Sequence, residues 1–215
     1  MSSTSRTCCA VNPFSAQRPA GIPIPIPQPD PRKGRDSLQH WDREGILGPY
    51  SSCRFNLDGF LTVDGPRERG GVYQGYCLAF RRGTVEIVDA ETTGRMDKDG
   101  PRYIPSVAYE RDIIGAMGKY LIALSSLQVP LPIVVALTFL GVKDCHFPVS
   151  ERLRLHRWEQ VPIDRDVLVL PDVLIEAYNC DIPTILRPIF DAVWNAAGWE
   201  KSANYDEQGT WRAHE

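Results

Sequence analysis

Ile133-Val-Val-Ala-Leu-Thr-Phe-Leu140 decides the architecture of this chain. It is aliphatic and β-branched at both alternating sets of positions, the mark of a central strand. A strand at a sheet edge, or one with a solvated face, would place polar side chains at every second position. The run therefore predicts a central strand, and the flanking sequence must supply its neighbours.

Immediately upstream, Ile113, Met117, Tyr120, Leu121, Leu124 and Leu127 recur at spacings of three and four. That is one apolar stripe of a helix. Ser106 is placed to cap its start, and Pro130 and Pro132 end it. Gly115 and Gly118 interrupt the stripe, each at a cost of about 1 kcal/mol relative to alanine, and suggest close approach to a sheet. Further upstream, Val72–Phe80 and Thr84–Val88 alternate around Arg82-Gly83 and predict a hairpin, hence antiparallel pairing. Ser52–Val63 predicts another strand, with Phe55, Leu57 and Leu61 on one face and a bend at Gly59. The polar stretches Asp64–Gly71 and Glu91–Pro101 predict loops.

Downstream, Glu151–Trp158, Asp166–Leu170 and Val173–Tyr178 predict three more short strands. After Asp181, an N-cap candidate, Ile182, Ile185, Leu186, Ile189, Phe190, Val193, Trp194 and Ala197 trace a helical face that ends at Gly198. Pro188 lies inside this pattern and predicts a kink or a late start. Hairpins with two helices on one side give an α+β class: two layers, a mostly antiparallel sheet covered by two main helices.

The first 50 residues differ in kind. They hold 8 of the 18 prolines, and Gly21-Ile-Pro-Ile-Pro-Ile-Pro-Gln-Pro-Asp-Pro31 can form neither helix nor ladder. Residues 1–50 are therefore expected to be a disordered, flexible proline-rich leader, 51–200 the domain and 201–215 a C-terminal tail. The tail region carries Trp199, Tyr205 and Trp211, aromatic residues expected to dock it back on the body. Exposed, they would instead form a partner-binding patch.

The net charge of −3 divides into +2 for residues 1–50 and −5 for the rest. That balance argues against broad electrostatic capture of nucleic acid but leaves room for a local basic stripe. Six scattered cysteines without a C-x-x-C pair fit reduced thiols. With no apolar signal segment at the N-terminus, a cytoplasmic protein with no membrane partner is expected.

Chemistry-bearing patterns are sparse. Asp144-Cys145-His146 has the atoms of a nucleophile or a metal ligand, yet neighbouring strand residues point to opposite faces and no second ligand lies at a suitable spacing. Glu110 and Asp112 suit the first turn of a helix through its dipole. The glycines around Arg67 and Arg69 lack the phosphate-loop spacing and its lysine. No catalytic residue, metal ligand or cofactor is expected. One stretch has binding potential: Arg152, Arg154 and His156 would share one face of a strand, with Arg157 and Trp158 at its end. Such a face could hold phosphates beside an indole stacking platform, or simply protect an exposed sheet edge.

Phe55-Asn-Leu-Asp-Gly-Phe60, Ile104-Pro-Ser-Val-Ala-Tyr-Glu-Arg111, Pro162-Ile-Asp-Arg-Asp-Val-Leu-Val-Leu-Pro-Asp-Val173, Arg187-Pro-Ile-Phe-Asp-Ala-Val-Trp-Asn-Ala-Ala-Gly-Trp199 and Asn204-Tyr-Asp206 carry a resemblance. Together they resemble the region that follows the Alba-type module in bacterial Schlafen/Alba-type DNA-binding proteins, often labelled ATP-binding. The Alba-type module itself has no counterpart here; a proline-rich leader stands in its place. The resemblance implies a non-catalytic accessory or interaction domain of a nucleic-acid-associated bacterial protein, one that self-associates or docks on a protein partner. Direct nucleic-acid binding through the basic strand and an enzyme of unfamiliar type are the alternatives.

Overall fold

A computed structural model describes residues 6–13, 51–65, 73–80, 84–90, 95–96, 102–126, 129–148 and 161–212. Its strands are β1 (Arg6–Pro13), β2 (Ser51–Phe55), β3 (Gly59–Asp64), β4 (Gly75–Phe80), β5 (Val85–Asp89), β6 (Arg95–Met96), β7 (Arg102–Tyr103), β8 (Ile133–Leu140), β9 (Val167–Val169) and β10 (Val173–Ile175). The helices are α1 (Ala108–Ser126) and α2 (Ile182–Ala196). The main sheet runs β10-β8-β1-β5-β4-β3-β2, with β9 also on β8, and every pairing in it is antiparallel. β6 and β7 form a separate small ribbon. The chain is thus α+β, with two helices covering a mostly antiparallel sheet.

The run that opened the sequence reading is an interior strand, as its composition requires. Ile133, Val135, Leu137 and Phe139 are buried, and the four residues between them are half-buried. On one edge β8 pairs with β9 and β10 in turn. These two short strands follow one line, broken at Leu170-Pro171-Asp172, because a proline cannot donate to a ladder. Leu170 still returns its N–H to Leu137 O at 3.1 Å.

The other neighbour of β8 was not foreseen. It is β1, from within the stretch assigned to the leader, and it lies between β8 and β5. Thr7-Cys8-Cys9-Ala10-Val11 is uncharged and built of small or β-branched residues that suit an interior strand. Cys9 pairs with Ile87 on one side and Leu137 on the other. β1 joins the four-stranded meander β2–β5 to the β8–β10 unit. The proline-rich stretch 21–31 lies outside the described residues.

Ser52–Val63 is a hairpin, not one strand. Asn56 Oδ1 accepts the N–H groups of Asp58 (3.0 Å) and Gly59 (2.7 Å), turning the chain between β2 and β3. Leu57, expected on the apolar face, sits at that turn and is 92% exposed. Gly59 is required where the chain re-enters the sheet: a Cβ there would come within 1.9 Å of Ala79 O.

The helices meet the sheet through aromatic contacts. Tyr109 of α1 lies edge-on to Phe139 of β8 (5.9 Å between centroids) and to Phe190 of α2 (5.7 Å). Met117, Tyr120, Leu121 and Leu124 extend the buried stripe of α1. Gly115 and Gly118 do not mark contact with the sheet: a Cβ at Gly115 would meet nothing within 4 Å, and one at Gly118 would approach Ile182 of α2. Ser106 does not cap α1; its hydroxyl donates to Pro148 O at 2.7 Å. α2 runs through Pro188 and closes as expected on Gly198 at φ +81°, with Trp199 N–H returning to Trp194 O at 2.8 Å. Asp181 occupies the N-cap position, but its side chain accepts from the Thr184 hydroxyl rather than from a backbone N–H.

Candidate functional site

Arg152, Arg154, His156, Arg157 and Trp158, the sequence candidates for nucleic-acid contact, lie outside the described residues, as does the strand predicted for Glu151–Trp158. The ends of that stretch are tied together: Asp144 N–H donates to Ile163 O at 2.9 Å and Ile163 N–H to Cys145 O at 3.0 Å.

Asp144-Cys145-His146 is held in a turn. Asp144 adopts φ 63°, and the His146 backbone bonds to both Arg102 O (2.8 Å) and Ile104 N–H (2.9 Å). Cys145 is fully buried. Burial raises its thiol above the usual range; Arg102 pulls it down and Asp144 pushes it further up. A thiol in that setting is a poor nucleophile at neutral pH. Among the described residues, no group of three or more His, Cys, Asp or Glu side chains could hold a metal ion. No described helix is long and apolar enough to cross a membrane.

Two arrangements stand out, and sequence reading missed both. The first is a polar centre inside the core. Glu110, in the first turn of α1, is wholly buried. Its Oε1 accepts from Trp194 Nε1 (2.8 Å), Ser202 Oγ (2.7 Å) and the Tyr109 hydroxyl (3.1 Å), and its Oε2 accepts from Trp211 Nε1 (2.7 Å). The positive end of the helix dipole adds to this neutral donor set. Burial, followed by the neighbouring Glu110, lifts the Tyr109 hydroxyl well above its ordinary range. The centre joins α1, α2 and the tail. Asn204 Nδ2 donates to Ser106 O at 2.9 Å and the Tyr205 hydroxyl to Pro183 O at 2.6 Å, so residues 202–211 are docked on the body, as the aromatic residues suggested. With both carboxylate oxygens engaged and no exposed surface, Glu110 ties these three parts of the fold together.

The second arrangement is the sheet face opposite the helices. Residues directly opposite one another in a ladder share a face. One row therefore runs Ser52, Val63, Tyr76, Val88 and, across β1, Thr138 and Val169. A second runs Arg54, Leu61, Leu78, Glu86 and, across β1, Ala136. Leu140 with Val167, and Val134 with Leu174, complete the face at its β8 edge. None of these residues joins the buried cluster formed with the helices, to which their strand neighbours Phe60, Cys77, Ala79, Ile87, Val135, Leu137 and Leu168 do belong. An antiparallel sheet with a solvated face normally alternates to polar there. This one does not. Val169 is 73% exposed, Val167 49% and Leu174 45%. The one carboxylate in the interior of the rows, Glu86, accepts from the Tyr76 hydroxyl at 2.5 Å.

The doubly apolar composition of β8 was the signal for this surface. Among the described residues, the helices cover one of its two faces. Comparison with family models, curated proteins and solved structures found no match to this chain.

Proposed function

We propose that this chain is a non-catalytic interaction domain whose docking surface is the sheet face turned away from α1 and α2. By its sequence resemblance, it would serve as an accessory part of a nucleic-acid-associated bacterial protein. The observation that carries this reading is the mostly apolar lining of that face, with Val167, Val169 and Leu174 exposed together at its β8 edge. Contiguous apolar surface of this kind marks sites of protein contact. A basic, phosphate-binding face would need cationic groups, and the rows hold one, Arg54, at the far strand.

A photo-reactive residue placed at Val169 in the full chain, in native cells, tests the surface. Protein adducts are expected at this position and not at Ile122, which is equally exposed but lies on α1. Equal labelling at the two positions, or none at Val169, would remove the proposal. Labelling by nucleic acid at Val169 would favour the nucleic-acid alternative instead.

A further inference from the structure

Resting on that reading of the open face, we infer that its occupant is a second copy of this chain, packed sheet against sheet. Three observations select this partner.

The first is area. Seven strands about 4.8 Å apart and five to six residues long at about 3.3 Å each present a footprint of roughly 600 Å². A pair of such faces would bury about 1,200 Å², which reaches the lower bound for stable specific interfaces. The face is thus large enough to hold a dimer if most of it is used.

The second is charge. Glu86 accepts from the Tyr76 hydroxyl and Arg54 lies at the β2 rim, so the rows carry one charge of each sign and no net charge. A two-fold pair places the same patch on both sides. A sheet face without net charge satisfies that condition, whereas a strongly charged one would repel itself.

The third is the form of the β9–β10 edge. Pro171 and Asp172 interrupt it, so edge-to-edge ladder extension is blocked while the face beside it stays continuous. Two such sheets would pack about 10 Å apart with their strands within about 30° of alignment, as in a sandwich.

Sedimentation equilibrium of the full chain tests the inference, run alongside the purified protein carrying the photo-reactive residue at position 169. The expected result is a dimer whose dissociation constant rises at least about tenfold in the double variant Val169→Lys and Leu174→Lys, because the interface would then enclose unpaired charges. Val167→Lys alone should shift it in the same direction. Unchanged thermal unfolding of the diluted variants would show that the loss lies at the interface. A monomeric wild-type chain, or a dimer indifferent to these substitutions, would overturn the second-copy assignment. If the cellular probe at Val169 then captures only a different protein, the interaction reading survives without it. If it captures nothing, both fail.

Discussion

The Glu110 centre and the open sheet face lie on opposite sides of the same sheet and solve opposite problems. On the helix side, a carboxyl group is enclosed among aromatic rings, and four donors from three parts of the chain converge on it. On the other side, eleven apolar side chains are aligned by register and, among the described residues, join no helix. The first region is closed, and its polar group is satisfied from within the chain. The second is mostly apolar, and among the described residues no helix covers it. On the function proposed above, the difference separates what holds this molecule together from what it offers to a partner. A substitution should therefore damage folding on one side and association on the other.

The sharpest break in that contrast is Glu110→Ala. Removing the carboxyl group orphans three buried donors, each costing about 1–3 kcal/mol, together with the half-buried Trp211 indole, and leaves a void besides. A loss of at least about 4 kcal/mol in urea unfolding is expected; a loss under about 1 kcal/mol would show that the centre is dispensable. Trp194→Phe is the finer probe, because it keeps most of the aromatic packing and deletes one donor. It should cost about 1–3 kcal/mol, the range for leaving a buried polar group short of a hydrogen bond. On the open face, Val169→Lys should change the stability of the monomer by no more than about 0.5 kcal/mol, as for other exposed positions. A large loss there would mean that the chain's own residues already cover the face.

The smallest effect concerns the tail turn, where Asp206 Oδ2 accepts from Arg212 Nε at 2.6 Å and Oδ1 from Thr210 N–H at 2.8 Å. The Arg212 hydrogen bond, helped by those backbone bonds, holds the Asp206 carboxyl below its ordinary range. Its contribution is complete at neutral pH, above the unfolded-state value, and is lost as pH falls through the lowered folded-state value. Asp206→Asn should therefore be slightly destabilising at pH 7, with the difference from wild type vanishing in acid. A difference that persisted or grew in acid would contradict the pairing.

Where a local pattern had one structural solution, the sequence was legible. The β4–β5 hairpin, the α2 stripe with its Gly198 terminator and the β8 run all take their predicted forms. The failures have physical causes. Asn56-Leu57-Asp58-Gly59 has turn chemistry, but the alternation of Phe55, Leu57 and Leu61 across it imitated a single strand. β1 was hidden because its neighbours β5 and β8 lie far away in sequence and the prolines that follow it dominate the composition. Glu110 looked like an ordinary first-turn acid because its partners Trp194, Ser202 and Trp211 converge on it only in three dimensions. β8 is apolar on both faces, but a sequence does not say whether the cover of the second face belongs to the same molecule.

The position of β1 has a consequence for how the chain is assembled. A ribosome delivers Arg6–Pro13 ahead of both its partners, β5 and β8, and β8 emerges more than a hundred residues later. The meander β2–β5 can zip up early from local turns, whereas the seam that welds it to β8 waits until most of the polypeptide has been made. Such long-range closure is slow. Nascent chains should therefore pass through a stage in which the earliest residues wait, unpaired, for the strand that completes the sheet.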